Sequence, residues 1–249
     1  MIFGPAQSEG PMCFVEDLDA PVLDDGDRHH LSRVLRVRDG DPMVVSDGAG
    51  RWRAARFGAT VEVVEGGAGE ARVADRRTPE VGVAFALVKG ERPELVVQKL
   101  TELGVDRICP FVADRSVVRW DGERATRHHE RLTRVAREAA MQCRRTVLPT
   151  VGGVVDLDEL VAREAALVGG VERLARAEAG GAPLGEWRGE ASGGGVRLLL
   201  VGPEGGWTDR ERTVVPAEVG LADHVLRAET AAIVAGAALV DRRARGHGG

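Results

Sequence analysis

Leu198-Leu199-Leu200-Val201-Gly202-Pro203-Glu204-Gly205-Gly206-Trp207-Thr208-Asp209-Arg210-Glu211 is the stretch that decides how this chain folds. A short apolar run rich in branched residues stops abruptly at Gly-Pro-Glu-Gly-Gly, so it reads as a buried strand feeding a tight loop. Thr208 and Glu211 have capping-box spacing, which predicts a helix starting there. A glycine loop between a strand and a helix, at the carboxyl edge of a sheet, is where open α/β sheets bind ligands. Gly205 and Gly206 carry no Cβ, so a ligand can lie directly against their backbone. No Lys-Ser or Lys-Thr follows and no Gly-x-Gly-x-x-Gly is present, which excludes a phosphate loop and a dinucleotide fingerprint. An ordinary β–α turn fits the same residues equally well.

Two further segments share this character. Val225-Leu226-Arg227-Ala228-Glu229-Thr230-Ala231-Ala232 reads as a strand end running into an Ala-rich helix, and Gln98-Lys99-Leu100-Thr101-Glu102-Leu103-Gly104-Val105 lies upstream. Together these segments resemble the SPOUT class of S-adenosylmethionine-dependent RNA methyltransferases. They look most like the RsmE family, which methylates N3 of a uridine in small-subunit ribosomal RNA. Gly-Pro-Glu-Gly-Gly followed by Leu-Arg-x-Glu-Thr-Ala carries the likeness most specifically. The segments from Glu138 to Arg145 and from His30 to Arg36 match as well, so the resemblance runs from about Phe14 to about Val240.

The resemblance implies that both loops line a knotted pocket for S-adenosyl-L-methionine. Its cofactor-binding candidates are Val201, Gly202, Glu204, Gly205, Gly206, Leu226, Arg227 and Thr230. Methylation at uridine N3 requires removal of the imide proton, a task for a positioned carboxylate, and a cation can stabilise the anion that forms. Glu204 and Glu229 are the carboxylates in the matching loops and Arg227 is the cation, which makes these three the catalytic candidates. Each has a structural rival. Glu229 also suits a helix N-terminus, and Arg227 also suits pairing with Glu229. The RNA-binding candidates are Arg33, Arg36, Arg115 and Arg145, with Arg115 also placed to touch the cofactor loop. His30 reads as structural or as a phosphate neighbour. Lys99 and Glu102 suit a surface ion pair.

The chain departs from the family at two places. Met141 stands where the family commonly has Glu, so no base is assigned there. Pro11-Met12-Cys13-Phe14-Val15 lacks the arginine usual before the first strand. Aromatic residues make up only 4% of the chain; Trp52, Trp120 and Trp207 suit core packing better than base stacking.

Organisation follows the same reading. In the N-terminal third, Asp39-Gly40-Asp41 and Asp47-Gly48-Ala49-Gly50 are turn signals around short strand patterns at Met43–Val45, Trp52–Phe57 and Thr60–Val64. They suggest a small β-barrel, PUA-like by the resemblance. Gly66-Gly67-Ala68-Gly69-Glu70 reads as a loop and Arg76-Arg77-Thr78-Pro79 as a linker, giving domains at 1–74 and 75–249. Beyond it, strands are expected at Val81–Val88, Arg107–Val112 and Ala166–Val171. Helices are expected from Pro93 to Gly104, Glu123 to Arg144, Asp158 to Ala166 and Thr230 to Val240, with further loops at Gly180–Pro183 and Ser192–Gly195. This alternation implies an α/β domain with a mostly parallel sheet. The resemblance adds a trefoil knot, which general topology rules do not predict.

Composition limits the partners. No apolar run reaches the roughly 18 residues of a membrane helix, and no signal-peptide pattern opens the chain. Cys13, Cys109 and Cys143 are isolated and lack metal-ligand spacing, so the expectation is a reducing cytoplasm and no metal. The net charge of −5 is unevenly spread: Arg28–Arg56 holds seven Arg against Asp39, Asp41 and Asp47, and Arg115–Arg145 holds nine Arg against four acids. Arg suits phosphate contact, so small-subunit rRNA or an assembling subunit is the expected partner. Solvated ion pairs are the rival reading for any one Arg. The C-terminal helix is apolar nearly all round, which together with the resemblance implies a homodimer. Two other functions fit the residues: SPOUT methylation of tRNA or of a ribose 2′-hydroxyl, and a non-catalytic RNA-binding assembly factor.

Overall fold

The computed structural model describes residues 10–65, 72–73, 78–87, 92–120, 122–184 and 197–245. The loops expected at 66–70 and 192–195, Arg76 and Arg77 of the linker, and Lys89 lie outside the described residues. The chain divides into two compact units, Met1–Arg77 with Arg137–Leu148, and Thr78–Ala136 with Pro149–Gly249.

The first unit is built on a five-stranded sheet. Strand β1 (Met12–Phe14) pairs in parallel with β2 (Pro42–Ser46), which pairs antiparallel with β3 (Arg51–Arg56). β4 (Glu62–Val63) and β5 (Arg72–Val73) both pair antiparallel with β3. Asp47 Oδ1 accepts from the amides of Ala49 at 2.8 Å and Arg51 at 3.0 Å, which closes the turn expected between β2 and β3. Met43 and Val45 pack with Leu31 and Phe57, while Val44 packs with Trp52 and Ala140. Both faces of β2 are therefore covered, in the two-residue period of a strand. Between β1 and β2, Asp24 caps helix α1 (Asp25–His29) by accepting from the Asp27 amide, and a π-helical turn, His30–Val34, follows.

The second unit holds a seven-stranded sheet in which every pairing is parallel. Its elements run β6 (Gly82–Ala86), α2 (Arg92–Leu103), β7 (Arg107–Val112), α3 (Gly122–Cys143), β8 (Thr150–Val151), β9 (Val155–Asp156), α4 (Leu157–Val168), β10 (Leu174–Ala177), β11 (Leu198–Val201), α5 (Asp209–Val214), β12 (Glu218–Val219) and α6 (Ala228–Arg245), with the end of α3 belonging to the first unit. The sheet order is β12-β10-β11-β6-β7-β8, with β9 also on β7. The central strands are buried along their whole length, as strands covered on both faces must be. Val83 and Phe85 of β6 and Leu199 and Val201 of β11 pack with residues of α2, α3 and α6. Ala84, Ala86, Leu198 and Leu200 alternate with them and pack with Leu157 and Leu160 of α4 and with Val215. The α/β class and the mostly parallel sheet read from the sequence are thus present.

Two expected strands are corrected. Ala166–Val171 is no strand: α4 continues to Val168, and Gly169 ends it in the left-handed conformation at φ 92°. Val161, Ala165 and Val168 still pack on the core at helical spacing, and an apolar run this short does not distinguish strand from helix. The strand begins only at Leu174, after a 3-10 turn at Val171–Arg173. Val225-Leu226 is not a strand end either. Val225 is 87% exposed in a loop, and the strand preceding it is β12.

Candidate cofactor site

The site begins where β11 ends. Val201 leads into Gly202–Trp207, and the capping box that starts α5 fixes the far end of that loop: Thr208 N donates to Glu211 Oε2 at 2.8 Å and Glu211 N donates to Thr208 Oγ1 at 3.3 Å. The Glu211 side chain also accepts from the Asp114 amide at 2.9 Å, which ties the end of β7 to α5. Asp114 in turn accepts from Thr208 Oγ1 at 2.8 Å and from Arg210 at 3.1 and 2.8 Å. The Arg210 and then the Thr208 hydrogen bonds hold the Asp114 carboxyl below its ordinary value.

Trp207 shapes the back of the loop. It is 2% exposed, stacks on Phe111 with ring centroids 6.1 Å apart, and donates from Nε1 to the Ala177 carbonyl at 2.9 Å. A Cβ on Gly202 would come within 2.8 Å of the Trp207 ring, so only glycine fits there. A Cβ on Gly205 would meet Arg115 Cβ at 3.1 Å. Arg115 donates to the Gly205 carbonyl at 2.8 Å and to that of Trp207 at 3.4 Å. The missing side chain of Gly205 therefore makes room for Arg115, which braces the loop.

The other face of the loop opens on a cavity of about 410 Å³. Of the residues expected to bind cofactor, Val201, Gly202, Glu204, Gly206, Leu226 and Arg227 line it; Gly205 and Thr230 do not, nor does Glu229. The cavity also takes in Ala177, Glu178 and Ala179 after β10, with Leu221, Ala222 and His224, none of which the sequence singled out. The signal that could have found Glu178 is its position just past a strand, but the strand itself was misplaced. Sheet order then puts β10 beside β11, at a carboxyl edge where α/β sheets take ligands.

Arg92, at the start of α2, was also missed. Its Nη1 is 3.6 Å from Glu204 Oε1 and its Nε is 3.6 Å from Glu229 Oε1, so one guanidinium bridges the carboxylates of the two loops. Glu229 Oε2 is buried without a hydrogen-bond partner. The expected rival role of Arg227 is thereby filled by Arg92. The Arg227 side chain makes no hydrogen bond or ion pair with any described residue and is exposed. Lys99 does form the surface pair with Glu102, at 2.9 and 2.8 Å.

The remaining candidates lie elsewhere. Arg33 and Arg36 are exposed in and just after the π-helical turn of the first unit, Arg36 at a φ of 56°. Arg145 belongs to the same unit and is half-buried. Met141 packs against the apolar clusters of that unit, beside Arg137, whose guanidinium bonds Asp27 at 3.0 and 2.6 Å. Trp52 and Trp120 are core residues, the latter stacked on His128 at 3.9 Å. Burial pushes the Cys13 thiol up to about 12 and raises that of Cys109 further, so neither is a nucleophile. Among the described residues, no group of His, Cys, Asp and Glu could hold a metal ion, and no helix is long and apolar enough to cross a membrane.

This geometry has relatives. Residues 76–240 match the family model described as an RNA methyltransferase domain. Over 231 residues the chain is 36% identical to ribosomal RNA small subunit methyltransferase E of Mycobacterium tuberculosis, covering 88% of this chain and 86% of the relative. The chain belongs to the ribosomal RNA small subunit methyltransferase E family. The Bacillus subtilis member of this methyltransferase E family is 30% identical over 223 residues, covering 83% of this chain and 84% of its own. A family member from Neisseria gonorrhoeae, solved bound to S-adenosyl methionine, superposes with a TM-score of 0.77 at 26% identity, over 93% of this chain and 97% of that one. A methyltransferase from Legionella pneumophila, solved with the same cofactor, gives 0.79 at 27% identity, over 94% and 98%.

Proposed function

We propose that this protein transfers a methyl group from S-adenosyl-L-methionine to N3 of a uridine in small-subunit ribosomal RNA. The observation that carries the reading is the cavity at the carboxyl edge of β10 and β11. It is walled by the Gly-Pro-Glu-Gly-Gly and Leu-Arg-x-Glu-Thr loops, in a fold shared with relatives that hold this cofactor. The cofactor supplies an electrophilic methyl group on a sulfonium. Val201, Gly202, Gly206 and Leu226 provide the apolar, close-approach surface against which it would lie. The protein must then remove the N3 proton and hold the charge that develops. Glu229 or Glu204 takes the proton, with Arg92 placed between the two carboxylates to orient them. Arg227, whose guanidinium is uncommitted to any described residue, donates to the uracil oxygens that become anionic.

The same reading gives residues 1–74 a PUA-like barrel that grips RNA through Arg33 and Arg36, and residues 75–249 a knotted SPOUT domain that adds Arg115. Arg145 is its further RNA contact. It also gives a cytoplasmic homodimer joined through α6. Mass spectrometry of small-subunit rRNA from a deletion strain tests the activity: one N3-methyluridine should disappear and return with the restored gene. Loss of a tRNA or ribose methylation instead would replace this assignment, and no lost methylation beside a subunit-assembly defect would favour a non-catalytic factor. Light scattering of the purified protein should give twice the mass of one chain.

A further inference from the structure

The cavity contains two carboxylates in different electrostatic settings. Glu204 is at the rim, its side chain 56% exposed, and among the described residues it faces only the Arg92 guanidinium at 3.6 Å, which it shares with Glu229. Glu178 lies deeper, its side chain 23% exposed, directly after β10. Two guanidiniums hold it: Arg176 Nε donates to Oε2 at 3.4 Å, while Arg212 donates from Nε to Oε2 at 3.3 Å and from Nη2 to Oε1 at 3.4 Å. Arg176 is itself buried and locked by the Val215 carbonyl at 2.6 Å and the Pro216 carbonyl at 2.7 Å. The carboxylate is therefore oriented from a rigid support. Its bonds are long, however, and Oε1 accepts only one of them, so acceptor capacity remains.

Both guanidiniums are also engaged by a second carboxylate, Arg176 by Glu218 at 2.5 Å and Arg212 by Asp209 at 3.2 Å. A carboxylate that faces two of them still gains less from a further cation than one facing a single shared guanidinium, and it suits neutral O–H donors. S-adenosyl-L-methionine carries two cationic groups and one vicinal diol on its ribose. Among the charged side chains around the cavity, Arg227 offers donors only. The Ala177 carbonyl is engaged by Trp207. An acidic side chain just past a strand end, beside the glycine loop of the neighbouring strand, is also where nucleotide-binding α/β sheets hold ribose hydroxyls. We propose that Glu178 is the acceptor for the cofactor's ribose hydroxyls, with Arg176 and Arg212 as its positioning residues. Glu204, with its single shared cation, is the better match for a positive group. The inference rests on the cofactor reading of the cavity.

Titration calorimetry with S-adenosylhomocysteine and its 2′-deoxy and 3′-deoxy analogues tests it. The wild-type protein should lose about tenfold or more in affinity when the bonded hydroxyl is removed, the scale of a hydrogen bond to a charged group. Glu178→Ala should bind all three ligands about equally, near the affinity of the wild type for the deoxy ligand. If Glu178→Ala does not fold, Glu178→Gln decides, because a neutral acceptor should shrink the hydroxyl penalty several-fold. A folded variant that keeps the full wild-type penalty overturns the proposal, as does a wild type that binds S-adenosylhomocysteine without any hydroxyl penalty. A wild type that does not bind S-adenosylhomocysteine at all overturns the cofactor reading and the proposal with it.

Discussion

Arg92 Nε lies 3.6 Å from Glu229 Oε1, and the second oxygen of that carboxylate is buried without a hydrogen-bond partner. Removing the guanidinium would leave a largely buried carboxylate facing no cation among the described residues. Arg92→Ala should therefore slow methyl transfer at saturating cofactor and RNA by about tenfold, the value of one charge-assisted contact. Arg92→Lys should recover part of the loss. The melting temperature should fall as well, because Glu229 is only 13% exposed and a mostly buried carboxylate left without its cation is destabilising. The rates are therefore compared well below the melting transition. A wild-type rate in Arg92→Ala would remove the bridge from the mechanism.

The glycine loop was legible because three local signals coincide there: a branched apolar run, glycines that stop it, and a capping box after them. The bounds of β7 were readable from its apolar run alone, and the start of α2 from Pro93, which suits a first helical turn. Ala165–Val168 was not, because a short apolar run at a helix end looks like a strand until its packing is known. Glu178 and Arg92 were invisible for a different reason. Each joins the site only through tertiary neighbours, β10 through its pairing with β11 and Arg92 through contact with loops far along the chain. Gly205 illustrates a third limit. The sequence asks for a missing Cβ but does not say whether a ligand or Arg115 fills the space.

Gly202 and Gly205 should respond differently to substitution. Gly202→Ala places a methyl group within 2.8 Å of a buried, stacked Trp207 ring, with no flexible atom to yield. It should cost about 1–3 kcal/mol of stability, as overpacking does, and weaken cofactor binding. Gly205→Ala meets Arg115 Cβ at 3.1 Å, on an exposed stretch that can shift. It should be milder in both respects. Melting curves and calorimetry on the two variants check this, and equal damage would mean that the loop is less firmly backed than its contacts indicate.

Asp114 sets a pH dependence of known sign. Its carboxyl is held below the ordinary value of 3.8 by Arg210 and Thr208, so its contribution to stability is complete above that value and is lost as pH falls through the lower, folded one. Asp114→Asn should therefore melt below the wild type at neutral pH, and the gap should close as both are taken below about pH 4. A gap that is independent of pH would show that the side chain acts by geometry alone.

The Arg28–Arg56 segment makes a prediction for RNA. Arg33 and Arg36 are exposed within a region carrying seven Arg against three Asp, so reversing both charges should weaken binding of small-subunit RNA and flatten its salt dependence. Affinity for S-adenosylhomocysteine should be unchanged, since neither residue lines the cavity. Normal RNA binding by the doubly reversed protein would move the RNA contact away from this unit.

Arg227 provides the sharpest test of the chemistry. It lines the cavity, it follows Leu226 in the loop facing Gly-Pro-Glu-Gly-Gly, and its guanidinium bonds no described residue, whereas Glu229 is served by Arg92. A side chain that is exposed and bonds no described residue can be removed with little loss of stability, so Arg227→Ala should melt like the wild type. A uracil stripped of its N3 proton carries charge on its oxygens, and a guanidinium is a fixed fork of donors for that charge. Loss of one preorganised donor of this kind typically slows the chemical step by roughly a hundred- to a thousandfold. Single-turnover rates at saturating cofactor and RNA, measured beside a melting curve, separate the two roles. A slow enzyme with a wild-type melting temperature places Arg227 at the reacting base, and a near-normal rate at saturation takes it off the catalytic list.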